Sequence, residues 1–349
     1  MKNLNSITIR KLLSLMFIFG ALVLVSCGDD DDDDSSDLTA LTAKISEAEQ
    51  LIASTSEGTA EGNYARGSQA ELQSAIDLAQ TVAASADSDQ TALNNATTAL
   101  TNAISVYESK LVEAIDPDNL VGHWTFDEGT GTTVADFSGN NFSGDFRTGH
   151  AAFGEGEPSW GTDRYGNAGK AMDFDKGAFV EVPYSPLLNP AQISISVWVN
   201  AAEILENNRF LGLHSWNGYK FQLQSANKSF FTIATTDGIY DNDTDPALET
   251  GEWIHLAVTF GGGEMVFYID GSESNRVERT GDAIPVVDHN LAIGVGSSKY
   301  ADTADNFDND KIIPAAWGGY FHGSLDELRI YKSVLSGTQI QSIYDLEKP

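Results

Sequence analysis

The sequence predicts a mainly β protein in which a C-terminal jelly-roll β-sandwich follows an N-terminal three-helix bundle. The first observation behind this is periodicity. Apolar residues recur at steps of three and four from Leu38 to about Ile115, then at steps of two from Leu120 onward. The second is punctuation: Asp116-Pro117-Asp118 marks the change as a linker, and glycines, aromatics and β-branched residues dominate after it. The third is strand density, since many strand-like runs at short spacing suit a sandwich or jelly roll. At 349 residues the chain is long enough for more than one core, and 41% hydrophobic residues suffice to fill them.

Residues 1–26 read as an export signal, with Lys2, Arg10 and Lys11 ahead of an apolar run from Leu12 to Val25. That run is short for a membrane span. Leu24-Val25-Ser26-Cys27-Gly28 is similar to a lipobox, in which the cysteine is diacylated and becomes the mature N-terminus. Cys27 is the only cysteine, so no disulfide forms within the chain. Residues 27–37, with Asp29 to Asp34 in succession, form an acidic tether that stays solvated. Such a leader predicts an outer-membrane lipoprotein exposed at the cell surface, touching membrane only through its lipid. A formal net charge of −31 argues against nucleic acid and suits neutral ligands or divalent cations.

The segment 38–115 is Ala-, Ser-, Thr- and Gln-rich. Its first expected helix carries Leu38, Leu41, Ile45, Ala48 and Ile52, its second Leu72, Ala75, Ala79 and Val82, its third Leu93, Ala96, Leu100, Ala103, Tyr107 and Leu111. Gly58, Gly62 and Gly67 separate the first two, and Ser68 with Glu71 has the spacing of a capping box. Through Tyr64, Leu72-x-x-x-Ile76-x-x-Ala79 and Ala96-x-x-x-Leu100-x-x-Ala103-Ile104 the region resembles the FIVAR-type spacer bundles of bacterial surface proteins; a plain coiled stalk fits as well.

Beyond the linker, strands are expected at 123–126, 179–182, 193–199, 219–223, 230–234, 254–260, 265–269, 291–295 and 325–331. In Ile193-Ser194-Ile195-Ser196-Val197-Trp198-Val199 the serines predict a solvent-facing side. Trp124-Thr125-Phe126-Asp127-Glu128-Gly129, Asp136-Phe137-Ser138-Gly139-Asn140, Gly166 to Asp175, Ile195 to Val199, Trp253 to Phe260, Phe267-Tyr268-Ile269-Asp270-Gly271 and Phe321 to Tyr331 follow one another in a set order, with a short helix from Ser336 to Tyr344. On these motifs residues 120–347 resemble the LamG-like, concanavalin A-type lectin/glucanase family. Trp198 and Trp253 are expected between the sheets, Asp270-Gly271 as a hairpin turn, and His255 as a packed or surface residue rather than a ligand.

The resemblance implies a structural calcium ion held by Asp136, Asn140 and Asp326; otherwise Asp136 and Asn140 make a capped turn. Asp241 to Glu252 has EF-hand spacing, but Pro246 stands where that loop needs glycine. Gly296 to Tyr320 is long for a sandwich connection and holds Tyr300, Asp308 and Trp317. Arg209, His214, Trp216, Asn217 and Tyr240 form a second aromatic and polar group. Aromatic faces cover the C–H side of a pyranose while carboxylates and amides bond its hydroxyls, so both groups are candidate glycan sites. The Glu-x-Asp-x-(x)-Glu pattern of sandwich glycosidases is missing from the sequence, and Asp326 and Glu327 are adjacent on one strand, so no enzyme is expected. The expectation is a non-catalytic, surface carbohydrate-binding lipoprotein, with an adhesin or scaffold recognising a protein as the alternative and a glycoside hydrolase as the less favoured one.

Overall fold

A computed structural model describes residues 38–58, 62–151, 153–285, 289–296 and 319–349. Three helices come first: α1 Thr39–Ser54, α2 Ser68–Ala84 and α3 Gln90–Glu108. Leu41, Ile45 and Ala48 meet Leu72, Ile76 and Ala79 of α2 and Leu93, Leu100 and Ile104 of α3 in one core. That is the seam the three-and-four spacing predicts. Tyr107 closes its end, stacked on Tyr64 at 4.3 Å with its hydroxyl 2.6 Å from Thr55 Oγ1. Asp89 caps α3 by accepting from Ala92 N. The expected capping box at α2 does not form. The chain enters that helix through Gly67 at φ 88°, so Ser68 is already helical and its hydroxyl cannot reach back.

The sandwich follows. Its strands are β1 Leu120–Trp124, β2 Thr133–Val134, β3 Gly144–Arg147, β4 Ser159–Thr162, β5 Ala168–Phe174, β6 Phe179–Val182, β7 Ile193–Ala201 and β8 Asn207–Leu213, then β9 Tyr219–Gln224, β10 Lys228–Thr235, β11 Gly238–Asp243, β12 Ile254–Gly261, β13 Glu264–Ile269, β14 Ser272–Glu278, β15 Leu291–Ile293 and β16 Gly323–Tyr331, closed by helix α4 Gly337–Glu347. One antiparallel sheet runs β14-β13-β12-β7-β16-β5-β4, with β1 added beside β16. The second runs β11-β10-β9-β8-β15-β6-β3-β2. Between them lies a dry core that includes Trp124, Ile195, Val197, Val199, Phe221, Phe231, Val258, Phe267 and Leu328. Asp270 (φ 48°) and Gly271 (φ 76°) make the expected hairpin turn, both central residues in the left-handed region.

Two expectations fail on one feature. Ser194 and Ser196 were to face water but are fully buried, and Trp198 was to lie between the sheets but points away from them. Helix α4 folds back over the first sheet, capped by Ser336 and Gln339 acting on each other, and covers the face those residues share. Trp198 stacks on Tyr344 at 5.7 Å and donates to Glu347 Oε2 at 2.9 Å. Ser196 Oγ meets Nε2 of the buried His255 at 2.8 Å. Burial pushes that imidazole down to about 3, so it is neutral near pH 7. Trp253 lies just before β12, half-buried and outside the intersheet core.

Candidate functional site

The second sheet's outward face can be read from strand parity. In β9, Tyr219, Phe221 and Leu223 enter the core, which turns Lys220, Gln222 and Gln224 outward. Antiparallel pairing then sets neighbours side by side: Lys220 opposite Thr232 of β10, and Thr232 opposite Asp241 of β11. In the next row Arg209 of β8 lies opposite Gln222, and Gln222 opposite Phe230. A register shift between Arg209 and Leu211 brings the arginine to this face.

The groups of the first row form a chain. Lys220 Nζ donates to Thr232 Oγ1, which donates to Asp241 Oδ1, and the ammonium lies 3.8 Å from that carboxylate. The ammonium also sits 4.0 Å from the centre of the Trp216 ring and 4.5 Å from that of Phe230, held between two aromatic faces. Arg209 Nε donates to Gln222 Oε1 at 3.0 Å, and its stem runs against Gly296, where a Cβ would come within 2.4 Å of Arg209 Cδ. Burial lowers Lys220 to about 7, with Arg209 adding to the effect and Asp241 opposing it; burial lowers Arg209 to about 10. Lys220 and Arg209 are each 1% exposed, whereas the Asp241 side chain is 40% exposed and Trp216 and Phe230 are partly open.

Of the expected glycan residues, Arg209 and Trp216 thus belong to one site. Asn217 is exposed in the short turn Ser215–Asn217 that carries Trp216. His214 precedes it at φ 56°, its ring 4.5 Å from that of His289. Tyr240 was expected beside Asp241 on this face and is found on the other, because consecutive strand residues alternate: it packs on the core with Arg279 over its ring at 5.2 Å. Tyr300, Asp308, Trp317 and Cys27 lie outside the described residues. The sequence reading missed Lys220, Gln222, Phe230 and Thr232. Their signal was present in the alternation Tyr219-Lys220-Phe221-Gln222-Leu223-Gln224, which puts polar and charged groups on one side of a strand with an apolar reverse.

Each of the three residues expected to hold calcium is engaged by protein partners. Asp136 accepts from the backbone N–H groups of His123, Ser138 and Phe142 and from Ser138 Oγ, so both its oxygens are engaged. Asn140 donates to the carbonyls of Leu120 and Val121. These are the contacts of a capped turn. Asp326 pairs instead with Arg164. Among the described residues no group of three or more His, Cys, Asp or Glu is arranged to hold a metal.

Asp326 and Glu327 have separate partners. Glu327 takes φ 52° in a bulge of β16 and bonds His123 Nε2 at 2.8 Å and Arg329 Nη2 at 2.7 Å. Burial raises Asp326 to about 7 against the pull of Arg164. Burial works on Glu327 too, but the His123 bond and Arg329 hold it below the ordinary carboxylate range.

The fold is an antiparallel two-sheet β-sandwich, and residues 174–341 match the family model of the Concanavalin A-like lectin/glucanases superfamily. The matched segment runs from the end of β5 into α4 and contains every residue of the Lys220 site. No curated relative matches the chain. Among solved structures it is similar to domain 4 of AbnA, a GH43 extracellular arabinanase from Geobacillus stearothermophilus, in complex with arabinotriose. That likeness has 22% identity and a TM-score of 0.48 over 65% of this chain and 98% of that one. It is also similar to the binding domain of Paraclostridial Mosquitocidal Protein 1, with 15% identity, a TM-score of 0.46 and coverage of 65% and 52%. The binding domain of Botulinum Neurotoxin DC in complex with SialylT gives 13%, 0.45, 66% and 51%. The chain spans about half the length of these two toxin domains.

Proposed function

We propose that the protein binds carbohydrate without transforming it, on the outward face of the second sheet. The observation that carries this is the combination at Lys220: two partly open aromatic rings, Trp216 and Phe230, flank its ammonium, with the hydrogen-bonding groups Thr232 and Asp241 in the same row and Gln222 in the next. A pyranose has an apolar C–H side and a rim of hydroxyls, and rings beside donors and acceptors match both. The superfamily that residues 174–341 match agrees with such a role. A binding role rather than a hydrolytic one is supported by the acids of β16, since Asp326 and Glu327 are each paired with an arginine.

In this reading Cys27 carries a lipid, the aspartates behind it and the three-helix bundle act as spacer, and the sandwich faces outward from the cell. No helix among the described residues is long and apolar enough to cross a membrane. Changing Cys27 to Ala should release the protein from the membrane fraction; continued membrane attachment would refute the anchor. For the glycan, affinity electrophoresis against a polysaccharide panel is the test. At least one polysaccharide should retard the protein, and Trp216→Ala should weaken that binding about tenfold, equivalent to about 1.4 kcal/mol. If no polysaccharide retards it, or Trp216→Ala binds as the parent does, the reading fails.

A further inference from the structure

The sheet face just described has an uneven charge count. Arg209 and Lys220 stand in adjacent rows of neighbouring strands, each 1% exposed. Among the described residues the carboxylate that acts on them is Asp241, and its side chain is 40% exposed to water. The chain has 20 Lys and Arg against 51 Asp and Glu, so two buried cations side by side run against its whole composition. Two like charges taken out of water repel each other and lose hydration, and one solvated carboxylate offsets only part of that. Arg209 shows the deficit at atomic level: Nε is satisfied by Gln222, but Nη1 is buried without a hydrogen-bond partner among the described residues. An arginine left with an open nitrogen, beside an ammonium held between two rings, is a receptor for an anion.

We infer that the sugar bound on this face is an acidic one, a uronic-acid unit whose carboxylate pairs with Arg209 and Lys220 while its ring lies against Trp216. The inference rests on the carbohydrate-binding reading above and narrows it to a substrate class. A carboxylate suits the site because the planar guanidinium can offer it parallel N–H groups, and because the sugar ring that bears it supplies the apolar side that Trp216 and Phe230 require. Its approach lies on the β11 side, where Asp241 is exposed and Phe230 of the neighbouring β10 is partly exposed. Asp241 then competes with the ligand for Lys220.

The experiment compares three soluble probes against the full chain with a chelator present: polygalacturonate, the same polymer with its carboxylates methyl-esterified, and dextran sulfate. Polygalacturonate should bind at least tenfold more tightly than its ester, and its affinity should fall as salt is raised. Arg209→Gln and Lys220→Met should each lower that affinity at least tenfold, Arg209→Lys should recover part of the loss, and Asp241→Asn should tighten binding several-fold. Asp241 is exposed, so this last variant tests the charge balance even if a buried substitution fails to fold. Equal binding of the ester, with no effect of Arg209→Gln, would overturn the acidic-sugar inference and leave the carbohydrate reading standing. Equal binding of dextran sulfate would overturn the carboxylate assignment, and weaker binding by Asp241→Asn would overturn the charge argument. Failure of every polysaccharide to bind would remove both readings.

Discussion

The two sheets carry buried charge on their outward faces in different ways. On the first sheet, under α4, each buried arginine has an acid: Arg329 lies between Glu327 and Glu347, and Arg164 meets Asp326. On the second, Arg209 and Lys220 share Asp241. The first arrangement is closed, because the helix that covers it brings Glu347 and the Tyr344 ring with it. Among the described residues the second is left short by one negative charge beside Arg209 and Lys220. Paired buried charge holds a structure in one register, whereas a buried charge without its counterion is the feature expected where a ligand supplies it.

The largest expected effect breaks the closed face. Arg329→Met leaves Glu327 and Glu347 buried without their shared cation and should lower stability by about 3–5 kcal/mol in urea unfolding. A loss under about 1 kcal/mol would mean that α4 is held by its apolar contacts alone.

On the open face the same kind of change should have the opposite sign. Lys220 in the unfolded chain keeps its proton up to about its ordinary value of 10.5, and in the folded chain only to about 7. Unfolding therefore takes up a proton between those limits, so the stability of the free protein should rise as pH goes from about 7 to 10.5. Burial is the main cause, and the charged neighbours are Arg209, which reinforces it, and Asp241, which opposes it. Lys220→Met should be at least as stable as the parent at pH 7 and lack this slope. A variant that melts earlier at pH 7 would show that Lys220 is as well compensated as Arg329.

A smaller effect probes how α4 seats on its sheet. Gly271 has φ 76°, and a Cβ there would lie 2.9 Å from Tyr344 Cβ. Gly271→Ala should cost about 1–2 kcal/mol through backbone strain and displacement of the helix. Unchanged stability would mean that the helix shifts freely. Smallest is calcium: with Asp136 bonded to four protein donors, adding calcium or chelator should leave the melting temperature within about one degree. A clear rise with calcium would reveal a donor set different from Asp136, Asn140 and Asp326.

Much of the architecture was readable in residue order. The spacing of Leu41, Ile45 and Ala48 gave the helical seam, Asp270-Gly271 gave the hairpin, and the alternation in β7 gave its core face of Ile193, Ile195, Val197 and Val199 but not the covering of its reverse. The candidate site was readable in part. Trp216 and Arg209 stood out as polar-aromatic residues, but Tyr240 was placed on the wrong side and Lys220 passed unnoticed. The reason is that parity assigns residues to two faces without saying which is the core, and only pairing through Ile233 fixes Tyr240 inward.

What residue order determined by itself was local: periodicity, turns, and the polar or apolar character of each strand face, all set by interactions a few positions apart. What only the tertiary structure decided was which face is covered and which charges meet. Arg164 and Asp326 are 162 positions apart, and Trp198 and Glu347 are 149 apart. Burial and charge pairing depend on such distant neighbours, so the same strand pattern can face water, a helix or a ligand.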